Sequence, residues 1–303
     1  MNSLKPNFIL AGAPKCGTTS MWQYLNQHPE VFMCKPKEPN YFCDDFPRIR
    51  KVKTANEYFS LFNETDQMHR IRGEASALYF YSNVAAERIK KFNPDAKILL
   101  MLRNPVTMIP AWHAQLCFSG DEEICDLEEA WGAQLDRLEG RRIPRACRFP
   151  ELLQLKTLGY LSRYVERFMQ LWDEENICFI LTDDLAKNFR LTMHKVYDFL
   201  GITNTFEVLP EIVNPRKVPR ARWVTKMTRI QTPSWLRSTV LPARRLMGFE
   251  RFGLRAILRE CNRREVPRVA VSAKMQATLR DCYAEDVKRL QTMIDRDLSE
   301  WLN

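Results

Sequence analysis

The stretch Pro6-Asn-Phe-Ile-Leu-Ala-Gly-Ala-Pro-Lys-Cys-Gly-Thr-Thr-Ser20 constrains this chain more than any other. Phe8–Ala11 is an apolar run of strand length. Gly12 and Gly17 bracket a short loop, and Thr18, Thr19 and Ser20 open a helix whose pattern runs to Gln27. A buried strand that turns through a glycine loop into a helix aims unpaired backbone N–H groups, and the positive end of the helix dipole, at one point. The loop therefore reads as a phosphate cradle. Its spacing is Gly-x-x-x-x-Gly-Thr-Thr, against Gly-x-x-x-x-Gly-Lys-Ser/Thr in the metal-nucleotide phosphate loop. Thr18 stands where that pattern has its lysine, and Lys15 lies inside the loop instead.

The rest of the chain supplies a sheet for this loop to sit on. Strand patterns fall at Asn7–Ala11, Lys97–Leu102 and Ile177–Leu181, with a weaker one at Ile71–Glu74. They alternate with helical patterns at Thr19–Gln27, Asn56–Leu61, Asn83–Phe92, Leu127–Glu139, Gly159–Asp173, Asn188–Leu200 and Ala273–Leu290. Such alternation predicts an α/β fold: a central, mainly parallel sheet flanked by helices. The 303 residues are 45% hydrophobic, enough for a substantial core in one large domain or two small ones, and a single domain over 1–303 is expected. No apolar run reaches the roughly 18 residues of a membrane span. The chain enters its first strand with no charged-then-apolar leader, so a cytoplasmic protein is expected. Nine scattered cysteines with no Cys-x-x-Cys pair read as reduced thiols.

Charge is uneven. The chain carries +9, yet residues 214–268 hold fifteen Lys or Arg against three Glu, a local excess of about +12. A basic segment suits an anionic ligand, an anionic membrane surface or a solvated face. Within it, Trp235–Phe249 mixes large apolar and basic residues, which fits peripheral membrane contact, a lid over a binding site, or packing on the domain.

Three further segments carry chemistry. Lys97-Ile-Leu-Leu-Met-Leu-Arg-Asn-Pro-Val106 is a buried strand that delivers Arg103 to the carboxyl edge of the sheet. A guanidinium there grips a phosphate with two parallel hydrogen bonds, or pairs with a carboxylate. Lys35-Pro-Lys-Glu-Pro-Asn-Tyr-Phe42 places Glu38 beside Lys35 and Lys37 in a proline-stiffened loop, as a proton acceptor or as a surface ion pair. Arg72-Gly-Glu-Ala-Ser-Ala-Leu-Tyr-Phe80 ends a short strand with small and hydroxyl residues. Among the histidines, His28 reads as structural, while His113 lies ten residues past Arg103.

These four segments, in this order, resemble the sulfotransferases that use 3′-phosphoadenosine 5′-phosphosulfate (PAPS). Ala13-Pro-Lys-Cys-Gly-Thr-Thr-Ser20 is similar to their 5′-phosphosulfate loop, and Met101-Leu-Arg-Asn-Pro-Val106 to the start of their 3′-phosphate motif. Lys37-Glu-Pro-Asn-Tyr-Phe42 and Gly73-Glu-Ala-Ser76 resemble elements of the carbohydrate-type branch. Ile180-Leu-Thr-Asp-Asp-Leu185, Phe199-Leu-Gly201 and Asp295-Arg-Asp-Leu-x-x-Trp301 extend the likeness over most of the chain.

The resemblance implies a sulfotransferase fold related to phosphate-loop nucleoside triphosphatases, PAPS as co-substrate, adenosine 3′,5′-bisphosphate as product, and no metal. The backbone from Lys15 through Cys16, Gly17, Thr18, Thr19 and Ser20 would hold the 5′-phosphate. Lys15 would neutralise the bridging oxygen, Arg103 would take the 3′-phosphate, and Glu38 would deprotonate the acceptor. His113 is its rival, because histidine is the base in the small-molecule branch. Asn214–Trp223 is similar to the family's nucleotide-closing loop, which makes Lys217, Arg220 and Arg222 candidates for the 3′-phosphate side. Two positions depart from the family. Ala111 stands where the 3′-phosphate motif places a serine, eight residues after its arginine. Gly-Glu-Ala-Ser-Ala77 lacks the lysine that some glycan sulfotransferases have beside this strand. The expected acceptor bears a hydroxyl or amine, on a glycan, a lipid or a small molecule, and no nucleic-acid partner is expected. The competing readings are a kinase or triphosphatase on the same fold and a non-catalytic binder of anionic polymers or membranes.

Overall fold

Five parallel strands form one sheet in the order β2-β3-β1-β4-β5. They are β1 (Phe8–Leu10), β2 (Val31–Met33), β3 (Ile71–Ala75), β4 (Lys97–Leu102) and β5 (Ile177–Leu181). The computed structural model describes residues 5–209, 217–219, 263–265 and 271–303. The accompanying helices are α1 (Thr18–Leu25), α2 (Ala55–Ser60), α3 (Ala85–Phe92), α4 (Pro105–Ser119), α5 (Leu127–Gly132), α6 (Gln134–Leu138), α7 (Leu155–Leu158), α8 (Leu161–Met169), α9 (Thr182–Lys187), α10 (Phe189–Leu200) and α11 (Ala273–Ile294). The α/β class with a parallel sheet is as the sequence predicts.

The described residues fall into two compact units. One lies within Met1–Trp112, Glu151–Val213 and Val271–Asn303, the other within His113–Pro150 and Asn214–Ala270. The first holds the sheet. Its central strands are apolar without alternation because both faces are covered: Ile98 through Leu102 on β4 are all fully buried, as are Phe8 and Leu10 on β1. Register sets the strands in step, with Phe8 opposite Gly73 on one side and Lys97 on the other. All five strands run the same way, so the chain after Leu10, Met33, Ala75, Leu102 and Leu181 leaves from one edge. Open parallel sheets bind ligands at that carboxyl edge.

The C-terminal segments lock onto this unit through specific pairs. The Asp286 carboxylate accepts from the Ser162 N–H (3.1 Å) and hydroxyl (2.5 Å), tying α11 to the start of α8. Arg296 donates to both oxygens of Asp184 (2.9 and 3.0 Å), and Trp301 Nε1 donates to Asp183 (2.9 Å). The terminal motif and the Thr-Asp-Asp segment after β5 are therefore two halves of one contact.

The second unit has a buried ion pair, Arg137 with Glu122 at 2.5 Å, and a two-bond Arg148–Asp121 pair. Its two-stranded antiparallel ribbon joins β6 (Lys217–Pro219) to β7 (Arg263–Glu265), with Lys217 opposite Glu265 in register. The helix expected over Leu127–Glu139 is broken into α5 and α6 at Ala133. The eight described cysteines are all free, in line with reduced thiols. No helix among the described residues is long and apolar enough to cross a membrane.

Gly12 shows how tightly loop and sheet are joined. A Cβ there would lie 2.2 Å from the Met101 backbone nitrogen on β4, and backbone cannot swing aside. Gly12→Ala is expected to destabilise the fold by about 3 kcal/mol, the upper range of overpacking, measured as a shift of the urea midpoint.

Candidate active site

The loop after β1 turns as its glycines dictate. Its backbone is pinned by Ala11 N–H donating to Leu99 O (3.0 Å) and Ala13 N–H to Met101 O (3.1 Å). Gly17 takes a left-handed φ of 85° and precedes α1 with no side-chain cap, and the first turn of α1 has no acidic residue. The N–H groups of that turn have no intrahelical acceptor, so the helix start presents donors and a positive dipole end together. Thr18, Thr19 and Ser20 lie in this turn. The Thr182 hydroxyl, at the end of β5, lies 3.1 Å from Cys16 O and 3.0 Å from Leu102 O, tying the loop to the neighbouring strand ends.

Lys15 sits at the loop's crest with φ 68°, a left-handed conformation that costs a non-glycine residue about 1 kcal/mol or more. Its carbonyl accepts from Arg103 Nη1 at 3.1 Å, and Arg103 Nε donates to Thr107 Oγ1 at 2.9 Å. Thr107 is a residue the sequence reading passed over: at the start of α4, it orients the guanidinium. Lys15 is exposed as a residue, with its ammonium end among neighbouring atoms. That crowding, then the charge of Arg103, lowers its pKa below the ordinary lysine value, while Glu38 pulls it back up. Cys16 is fully buried, and burial pushes its thiol up to about 12, so it is no thiolate nucleophile.

Glu38 lies in the adjoining loop after β2. Its φ is 59° and that of Asn40 is 51°, so this turn too has left-handed non-glycine residues. The backbone is anchored to the end of β3: Glu38 N–H donates to Ala75 O (2.9 Å) and Asn40 N–H to Ser76 Oγ (3.1 Å). The carboxylate takes a 3.0 Å hydrogen bond from Lys37 Nζ, and the Lys51 ammonium holds the Lys37 carbonyl at 2.7 Å. Partial burial works against the Glu38 charge, but Lys37, Lys51 and Lys15 outweigh it and hold the carboxyl below the ordinary glutamate range. Lys15 and Glu38 are near enough for each to shift the other's ionisation. The structure thus brings together Lys15, Cys16, Gly17, Thr18, Thr19, Ser20, Arg103 and Glu38 at one edge of one sheet.

The remaining sequence candidates are placed differently. Ala111 lies on α4, two turns past Arg103, and offers no hydroxyl. His113 belongs to the second unit, is buried, and has Nε2 2.8 Å from Ile124 O. Burial holds its pKa below the ordinary histidine value. Lys217 opens β6, while Arg220, Arg222 and the Trp235–Phe249 stretch lie outside the described residues.

A strand-edge loop that leads uncapped into a helix, with a lysine inside it and an arginine on that lysine's carbonyl, narrows the family. The sulfotransferase domain model matches residues 5–239. This chain belongs to the sulfotransferase family. Carbohydrate sulfotransferase 15 of Rattus norvegicus is 27% identical over 246 residues, covering 65% of this chain and 44% of that protein. Bifunctional heparan sulfate N-deacetylase/N-sulfotransferase 1 of Homo sapiens is 24% identical over 214 residues, 67% of this chain and 23% of that protein. The chain therefore spans less than half the length of these curated relatives. A crystal structure of a sulfotransferase from Alicyclobacillus acidocaldarius shares the fold, with a TM-score of 0.70 and 23% identity over 99% of both chains.

Proposed function

We propose that this sulfotransferase moves a sulfuryl group from PAPS to a hydroxyl or amine of a glycan-type acceptor, with Glu38 as the base. One observation carries the reading: the Lys15 loop, held by Arg103 and leading uncapped into α1, and the Glu38 loop, anchored to Ala75 O, leave the same edge of one parallel sheet. The relatives named above, a carbohydrate and a heparan sulfate sulfotransferase, support a glycan as acceptor. The basic segment 214–268 suits an acceptor that is itself anionic.

The residues present fit the donor. The uncapped start of α1 suits the 5′-phosphate, and Arg103, a cation fixed by its bonds to Thr107 and the Lys15 carbonyl, suits the 3′-phosphate. In the transfer, the acceptor oxygen or nitrogen forms a bond to sulfur as the bond from sulfur to the bridging phosphate oxygen breaks. Glu38 takes the acceptor's proton, and Lys15 meets the negative charge that builds on the leaving oxygen. Such a reaction depends on in-line placement and on charges fixed before it begins. The ionised state of Glu38 suits a proton acceptor at neutral pH.

The experiment is a product screen: labelled PAPS offered with pools of glycans, lipids and small alcohols, read by mass spectrometry. Expected is label transfer to glycan hydroxyls or amines, with adenosine 3′,5′-bisphosphate released in equal amount. Magnesium-dependent turnover of ATP with no use of PAPS would overturn the proposal.

A further inference from the structure

Beneath the Glu38 loop lies a second glutamate that the proposed chemistry leaves unused. Glu74, on β3, is fully buried. Three hydroxyls donate to it: Tyr58 at 2.7 Å, Tyr79 at 2.8 Å and Ser76 at 2.8 Å. Two of those hydroxyls are also acceptors from the Glu38 loop. Ser76 Oγ accepts from Asn40 N–H at 3.1 Å, and Tyr79 OH accepts from Phe42 N–H at 3.3 Å. Tyr58 makes no such link. Its ring stacks on Tyr41 at 4.3 Å, and its helix α2 starts with a Thr54–Glu57 capping box that fixes its place.

We propose that Glu74 is a positioning residue for the transfer: through Ser76 and Tyr79 its carboxylate holds the 38–42 loop in the conformation that sets Glu38 opposite Lys15. The inference rests on the reading of Glu38 as base. The direction of the hydrogen bonds is what makes the carboxylate necessary. A hydroxyl that gives its hydrogen to a carboxylate turns its lone pairs toward a second donor, and charge at the end of such a chain strengthens each link. An acceptor with room for three hydroxyl hydrogens is needed at the centre, and an ionised carboxylate supplies it. The loop has need of such a hold, because Glu38 and Asn40 both adopt left-handed φ without being glycine.

The same arrangement makes the loop sensitive to protonation. Glu74 faces the hydroxyls of Tyr58, Tyr79 and Ser76 and the thiols of Cys34 and Cys43. Burial raises its pKa to about 7, against the pull of the three hydroxyls. A proton on Glu74 turns one acceptor into a donor, and one hydroxyl hydrogen in the buried cluster then has no place. Loop order therefore grows as pH rises through about 7 and is lost below it.

The test compares Ser76→Ala, Tyr79→Phe, Tyr58→Phe and Glu74→Gln with the wild type. Hydrogen exchange across 38–42, corrected for intrinsic rates, is read alongside PAPS turnover and binding of adenosine 3′,5′-bisphosphate. Ser76→Ala and Tyr79→Phe are expected to speed loop exchange about tenfold and to lower kcat by a similar factor, with bisphosphate affinity unchanged. Tyr58→Phe, which removes a hydroxyl from Glu74 and nothing from the loop, is expected to leave both near wild type. In Glu74→Gln the rise of loop protection through about pH 7 disappears. The proposal is overturned if the loop stays protected in Ser76→Ala and Tyr79→Phe, or if Tyr58→Phe harms kcat as much as they do. A wild type that neither binds the bisphosphate nor consumes PAPS overturns the reading of the site itself, before any variant is compared.

Discussion

Lys15→Ala is expected to lower sulfuryl transfer by about 100- to 1000-fold while the protein stays folded. That is the range lost when one fixed electrostatic donor to a developing oxyanion is removed. The fold is expected to tolerate the change because Lys15 is exposed as a residue and its carbonyl, the group that Arg103 holds, remains. Lys15→Gly is the sharper variant. The native φ of 68° is strained for lysine and for alanine but open to glycine, so this variant is expected to be more stable by about 1 kcal/mol. A protein that gains stability and loses transfer has given up a catalytic group, not a structural one. Single-turnover transfer from PAPS, set beside urea unfolding of both variants, checks this. Full transfer by Lys15→Ala would sink the mechanism.

The strain at Lys15 bears on why the loop could be read from sequence and other parts could not. Strands β4 and β5 match their expected bounds residue for residue, because an unbroken apolar run ended by Arg103 or Thr182 leaves one way to be covered on both faces. Strand β2 has three residues, Val31–Met33, too few to show a period, and its pairing of Val31 with Ile71 is a tertiary fact. Helix α4 is not among the helical patterns of the sequence, and it carries Pro105 and Pro110, residues that ordinarily interrupt such a pattern. Pro105 is the first helical residue, where its missing N–H costs nothing. Met108, Ile109, Trp112 and Leu116, all buried, held the helical spacing that could have revealed it.

At the site, the chemistry-bearing residues were visible as types at fixed spacings, since Lys15, Arg103 and Glu38 each end or follow a strand. Their supports were not. Thr107 beside Arg103, Thr182 beneath the loop, and Tyr58 and Tyr79 on Glu74 act across 4 to 166 positions of sequence. Nothing in the local pattern of a threonine or tyrosine announces a partner so far away. The terminal Arg296 and Trp301 were noted only as a likeness. Their contacts with Asp184 and Asp183 give that likeness a physical reason: they brace the segment whose Thr182 touches the loop.

Glu38→Gln is expected to cut kcat by about 100- to 10,000-fold, the usual contribution of a placed general base, with affinity for adenosine 3′,5′-bisphosphate unchanged. The pH profile makes the assignment specific. Lysine neighbours depress the Glu38 pKa, so Glu38 itself should stay ionised until pH falls below the ordinary glutamate value of 4.5, and an acid limb near pH 7 in wild-type transfer reports Glu74 and the loop, not this base. Lys15 also has a lowered pKa, so the alkaline limb should set in below its ordinary 10.5. Glu38 is one of the groups that hold the Lys15 pKa up. Removing its charge should therefore move the alkaline limb of the residual activity to still lower pH, an effect that a purely structural lesion does not produce. His113→Ala supplies the contrast. It removes a buried ring whose Nε2 lies against Ile124 O, so it is expected to cost stability, about 1–3 kcal/mol for a carbonyl left with only the weak Cys117 thiol donor, and to leave transfer largely intact. If His113→Ala loses turnover with nucleotide binding and fold preserved, while Glu38→Gln keeps both the rate and the alkaline limb, the base is the histidine.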